Sequence, residues 1–116
     1  MKYLMLINAS LTADGEVAGG CTPEGWELFY KEIKEAGVHL HGEPLADLTS
    51  ATTVRVDDRG ERVVTDGPFA ESREVLGGYF VVDVPDLDVA LDWAARCPGS
   101  HGGGSIVVRP LADYEG

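Results

Sequence analysis

Twice along the chain a strand-like apolar run leads into a capped, amphipathic helix and out into a second strand-like run. Lys2 to Ile7 is apolar on both faces beyond Lys2, the pattern of a strand central in its sheet. Thr22 followed by Pro23 supplies a cap and a first turn, after which Trp26, Phe29, Tyr30 and Ile33 recur at helical spacing until Gly37 ends the helix. At that spacing the aromatic stripe reads as a core face. Val38 to Leu45 is the second strand. The second round runs from a strand over Val75 to Val84 into a helix opened by Pro85 and Asp86, with Leu87, Ala90, Leu91 and Ala94 as its apolar face. Cys97-Pro98-Gly99 stops that helix, and Ser105 to Arg109 is the last strand. Between the rounds, Thr52-Thr53-Val54-Arg55-Val56 and Glu61-Arg62-Val63-Val64-Thr65 flank the turn sequence Asp57-Asp58-Arg59-Gly60, which predicts a hairpin.

This order predicts an α+β fold on the ferredoxin-like βαββαβ plan with an inserted β-hairpin, an antiparallel sheet carrying both helices on one face. The first two strands then run parallel, and the third and fourth run antiparallel to them. The other face would keep apolar side chains such as Leu4, Leu6, Phe80 and Val82 in need of cover, and a homodimer pairing sheet to sheet would supply it. A length of 116 residues, 44% hydrophobic and 25% charged, fits one domain spanning residues 1–116.

Twenty acidic residues against nine basic ones give a formal charge of −11, so direct binding to nucleic acid or to an anionic membrane would work against repulsion. The apolar run at the amino terminus is too short for a secretory core or a membrane span, and a cytoplasmic protein is expected. Cys21 and Cys97 read as thiols rather than as a disulfide framework.

The chemistry concentrates between residues 66 and 78. There Asp66-Gly67-Pro68-Phe69 makes a rigid turn, Glu71 and Glu74 follow, and Gly77-Gly78 marks a bulge or a close approach inside the strand. Strand order gathers the end of the first strand (Asn8), the end of the second (Glu43), the turn at Asp66 and the loop around His101 at one sheet edge. Asp66 and His101 are the candidate catalytic pair, a carboxylate that orients an imidazole and poises it near neutral pH. Asn8, Glu43, Phe69, Glu71, Gly77 and Gly78 are the candidate ligand-binding residues. The competing reading has Asp66 capping the turn through the Phe69 N–H, with His101 a solvated loop residue. A zinc site would recruit His39 and His41, read here as sharing one strand face, together with Cys97 and His101. His39, however, begins its strand at the edge opposite the His101 loop, so no metal is expected, and no motif calls for a cofactor.

The run from Asp66 to Glu71, then Leu76-Gly77-Gly78-Tyr79, Ala94-Ala95-Arg96-Cys97-Pro98 and the closing Val108-Arg109-Pro110, resembles the YCII-related, DGPF-type family over nearly the full length. The resemblance implies a dimeric α+β-barrel fold and an association, in many members, with extracytoplasmic-function sigma factors. Relatives carry a histidine–aspartate pair where this chain has Gly25 and Cys97, and often a glutamate where it has Val107, so their acid–base chemistry does not carry over. Two functions are expected in consequence. One is a small-molecule-binding protein with a polar cleft near the Asp66 turn, with acid–base catalysis by Asp66 and His101. The alternative is a non-catalytic regulatory or accessory protein that docks to a protein partner.

Overall fold

In the computed structural model, which describes residues 1–11, 22–46, 51–66 and 74–112, the elements follow in the order β1 (Lys2–Ser10), α1 (Pro23–Glu35), β2 (His39–Pro44), β3 (Thr52–Val56), β4 (Arg62–Asp66), β5 (Glu74–Asp83), α2 (Leu87–Arg96) and β6 (Ser105–Pro110). Four strands form one sheet in the order β2-β5-β1-β6, and β3 and β4 form a separate two-stranded sheet. Every neighbouring pair is antiparallel, which leaves β1 and β2 parallel to each other, as the doubled plan requires. The fold is thus α+β, with the antiparallel sheet and two helices of the ferredoxin-like plan.

Local chemistry sets the helix ends. The Thr22 hydroxyl accepts from the Gly25 N–H at 3.1 Å and the Asp86 carboxylate from the Val89 N–H at 3.0 Å, each satisfying an otherwise orphaned amide of the first turn. Gly37 follows α1 with φ 74°, a left-handed conformation that a side chain would strain. Both helices pack on one sheet face. Phe29 and Ile33 of α1 and Ala90, Trp93 and Ala94 of α2 close over Tyr3, Met5, Phe80 and Val82. An Arg96–Glu32 ion pair joins the two helices at their outer surface, and the Arg96 guanidinium also lies 4.3 Å over the Trp93 ring.

The sheet alternation corrects one sequence expectation. Phe80 and Val82 are fully buried on the helix face, whereas Leu4 and Leu6 face the other way with their cross-strand partners Val81, Tyr79, Val107 and Arg109. Phe80 and Val82 pair with Met5 and Tyr3, and directly paired residues share a face, so the whole run Tyr3, Met5, Phe80, Val82 goes to the core together. The open face keeps Leu4 and Leu6 half-buried and leaves Leu76 and Val107 exposed.

A second expectation fails at β2. His39 is paired with Val82 but His41 with Val81, because Leu40 forms a one-residue bulge against β5. The two histidines therefore lie on opposite faces, His39 stacked on Phe80 in the core and His41 edge-on to Tyr79 on the open side. Reading a strict period of two through this strand put them together.

Candidate functional site

The ends of β1, β2, β5 and β6 meet at one rim. Asn8 pairs with Leu76 on one side and Ser105 on the other, Pro44 pairs with Gly78, and the Leu45 N–H donates to the Gly77 carbonyl at 2.9 Å. Gly77 is the extra residue of a bulge opposite Ile7 and Asn8. On the helix side of this rim lies a cavity of about 400 Å³, lined by Ile7, Ala9, Trp26, Tyr30, Pro44 and Gly77. Ile7 and Ala9 point into it because they alternate with Asn8, and Trp26 and Tyr30 because they sit one helical turn apart on α1.

The indole and phenol rings stack with centroids 5.9 Å apart and 28° between planes. Gly99 packs against two of the lining residues, Ile7 and Trp26. A Cβ there would stand 2.9 Å from Ile7 Cγ2 and 3.1 Å from Trp26 Cη2, so no side chain fits without displacing the wall. Burial, aided by neighbouring Cys97, pushes the Tyr30 hydroxyl above its ordinary range, which keeps it protonated at neutral pH.

The described residues among those singled out from sequence fall at four places. Gly77 lines the cavity, and Gly78 supports its edge, since a Cβ there would stand 3.0 Å from the Glu43 carbonyl oxygen. Asn8 and Glu43 reach the same rim but on the open sheet face, through their pairing with Leu76 and Tyr79. Asp66 is exposed at the end of β4, paired with Thr52. The His101 ring is exposed, with Nε2 2.9 Å from the Ala95 carbonyl oxygen. A carbonyl only accepts, so Nε2 carries the proton and Nδ1 is the basic atom of the neutral ring. Among the described residues no hydrogen bond or ion pair joins Asp66 to His101. Phe69 and Glu71 lie outside the described residues.

Sequence reasoning had assigned the whole aromatic stripe of α1 to the core. Phe29 and Ile33 are there, but Trp26 and Tyr30 are only half-buried and form the cavity wall. The usable signal was the stripe's width. Four large side chains over two turns cover more than the face one helix needs against a four-stranded sheet, and the surplus rings fall at the rim.

Behind Tyr30 sits His39, its ring 5.9 Å from the phenol and stacked on Phe80. The residue as a whole is half-buried, but its Nε2 is fully enclosed and has no hydrogen-bond partner among the described residues. Burial, then the charges of Lys34 and His41, hold this imidazole below the ordinary histidine range. Its proton is therefore bound more tightly in the unfolded chain. The stabilising share from neutral His39 is fully present above about pH 6.5 and is lost as pH falls from there through the lowered folded value. Melting temperature is expected to drop between pH 7.5 and 5.5, and a His39→Phe variant is expected to lose part of that drop. An unchanged pH profile in His39→Phe would contradict this assignment.

Among the described residues no helix is long and apolar enough to cross a membrane. The family model described as the YCII-related domain matches residues 1–114. An uncharacterized protein from Rhizobium meliloti (strain 1021) is 44% identical over 72 residues, a match covering 61% of this chain and 57% of that protein. The chain thus spans little more than half the length of that relative. With the family match running over almost every residue and the strand order in agreement, the chain belongs to the YCII-related domain family.

Proposed function

We propose that the chain is a small-molecule-binding protein whose rim cavity takes a compact, uncharged, largely aromatic compound, and that Asp66 and His101 are the acid–base groups of any reaction it carries out. The cavity carries this reading. Its volume of about 400 Å³ falls within the size range of small-ligand sites, its lining is apolar, and a stacked Trp26–Tyr30 pair gives a planar ring something to lie against. None of the six lining residues is charged, and the net charge of −11 disfavours an anionic ligand.

A thermal-shift screen of uncharged mono- and bicyclic aromatics against matched aliphatics and carboxylates tests the proposal. Ligand at a hundredfold excess over its dissociation constant stabilises by about 2.7 kcal/mol. Ala9→Phe, which puts a ring into the cavity, is expected to abolish the shift. If no aromatic raises the melting temperature of the wild type, the reading fails. If a binder is also turned over, Asp66→Asn is expected to lose turnover while keeping the shift.

A second reading has its own support. The open sheet face, with Leu76 and Val107 exposed, offers an apolar surface through which a second copy or another protein would pair. On this reading the chain is an accessory protein of the cytoplasm, its acidic surface docking to a basic protein such as an extracytoplasmic-function sigma factor without contacting DNA. Pull-down from native lysate tests it, and recovery of the homodimer alone would count against a foreign partner.

A further inference from the structure

Four rings hold the Tyr30 phenol in place at the rim cavity. Trp26 stacks on it with centroids 5.9 Å apart, Phe29 and His39 meet it edge-on at 5.7 and 5.9 Å, and Phe80 does so from the sheet at 6.4 Å. A ring packed by that many neighbours presents its hydroxyl in one place. Among the described residues that hydroxyl makes no hydrogen bond. It is partly withdrawn from water, since burial together with Cys97 raises it above its ordinary range, and it stays a donor at neutral pH.

The rest of the wall offers a ligand little to bond with. Ile7 is paired on both sides, with Gly78 and with Ile106, Pro44 has no N–H, and the Gly77 carbonyl already accepts from the Leu45 N–H at 2.9 Å. Trp26 turns the benzo end of its indole to Gly99. A hydroxyl that loses water without gaining a partner costs free energy, so a plain hydrocarbon ring would leave the O–H unsatisfied. A ligand oxygen within reach of it removes that cost. Small-ligand sites are lined mostly by apolar groups and fix a ligand's orientation through a small number of polar ones. A carboxylate would accept the same bond, but none of the six lining residues carries a positive charge to pair with it.

We propose that Tyr30 is the specificity-determining residue of the cavity, its hydroxyl donating to a neutral oxygen on the bound ring. The ligand class is then aryl ketones, esters and ethers rather than plain aromatic hydrocarbons. This inference rests on the ring-binding cavity proposed above and narrows what the cavity selects, in the way that a site built around a hydrogen bond rejects the analogue lacking it.

Acetophenone and α-methylstyrene test it, because they share a shape and differ by an oxygen in place of a methylene. Isothermal calorimetry gives the dissociation constant of each for the wild type and for Tyr30→Phe. The variant is expected to bind acetophenone about fivefold more weakly than the wild type does, and α-methylstyrene within about twofold of it. In the wild type itself, the carbonyl stretch of bound acetophenone is expected at lower frequency than in hexane. Equal effects of Tyr30→Phe on the two compounds, or a bound carbonyl stretch at its hexane position, would overturn the role of Tyr30 and leave the cavity a ring-binding site. Failure of both compounds to bind the wild type would overturn the cavity reading itself and this inference with it.

Discussion

Phe80→Ala is expected to cost about 3 to 5 kcal/mol, the largest loss from any single truncation in this fold. Phe80 is wholly buried at the centre of β5, with ring contacts to Phe29 at 5.8 Å, Tyr30 at 6.4 Å and His39 at 6.3 Å. Removing it opens a void between α1 and the sheet that these rings cannot fill without leaving their rotamers. Domains of this size hold about 5 to 15 kcal/mol in total, so roughly a fifth or more of the stability would go, and the melting temperature would fall by on the order of 15 °C. Leu28→Ala, on the exposed side of α1 at 57% exposure, is the control and should stay within about 0.5 kcal/mol. Similar melts for the two variants would mean that the core is not where the packing puts it.

Gly42→Ala is expected to destabilise for the opposite reason. A Cβ at Gly42 would stand 2.5 Å from both Phe80 Cβ and the Tyr79 carbonyl oxygen, too close for any heavy atom. Those neighbours belong to the backbone of β5 or are anchored to it, so β2, an edge strand, must move outward. Overpacking of this kind costs about 1 to 3 kcal/mol. It also carries Pro44 away from the cavity. A Gly42→Ala protein should therefore both melt early and bind ligand weakly. Wild-type melting in Gly42→Ala would contradict the close contact between β2 and β5.

Much of the fold was legible from local signals. Thr22-Pro23 and Pro85-Asp86 fix the helix starts, the turn from Asp57 to Gly60 fixes the hairpin, and the doubled order fixes which strands pair. The misplacements have two causes. Sequence periodicity assumes an unbroken pleat, but β2 carries a bulge at Leu40, which sends His39 inward and His41 outward. Which face Phe80 and Val82 take was also beyond sequence alone, because β5 is apolar at nearly every position and alternation cannot choose a side. Only pairing with Met5 and Tyr3 decides it.

At the site, chain order placed Asn8, Glu43, Asp66 and His101 at one rim, and of these Asn8 and Glu43 stand on it. It did not separate the rim's two faces. Asn8 and Glu43 belong to the open face, while the cavity opens on the helix side, where the stripe assigned to the core supplies Trp26 and Tyr30. Nor did it register how far His101 is committed to the Ala95 carbonyl, a contact across the turn that ends α2 and invisible to spacing rules.

The cavity's occupancy by an uncharged ring can be read from Trp26 itself. The chain's other tryptophan, Trp93, lies in the core beneath Arg96, so Trp93→Phe leaves the cavity residue as the sole indole emitter. Titrating that variant with 4-nitroanisole, a neutral quenching arene, should give saturable loss of emission. 4-Nitrobenzoate should act at least about tenfold more weakly, and Ala9→Phe should remove the saturable phase. Quenching that rises linearly without limit, alike for both arenes and unaffected by Ala9→Phe, would mean that the indole meets these compounds only by collision and that no ring-binding cavity exists at the rim.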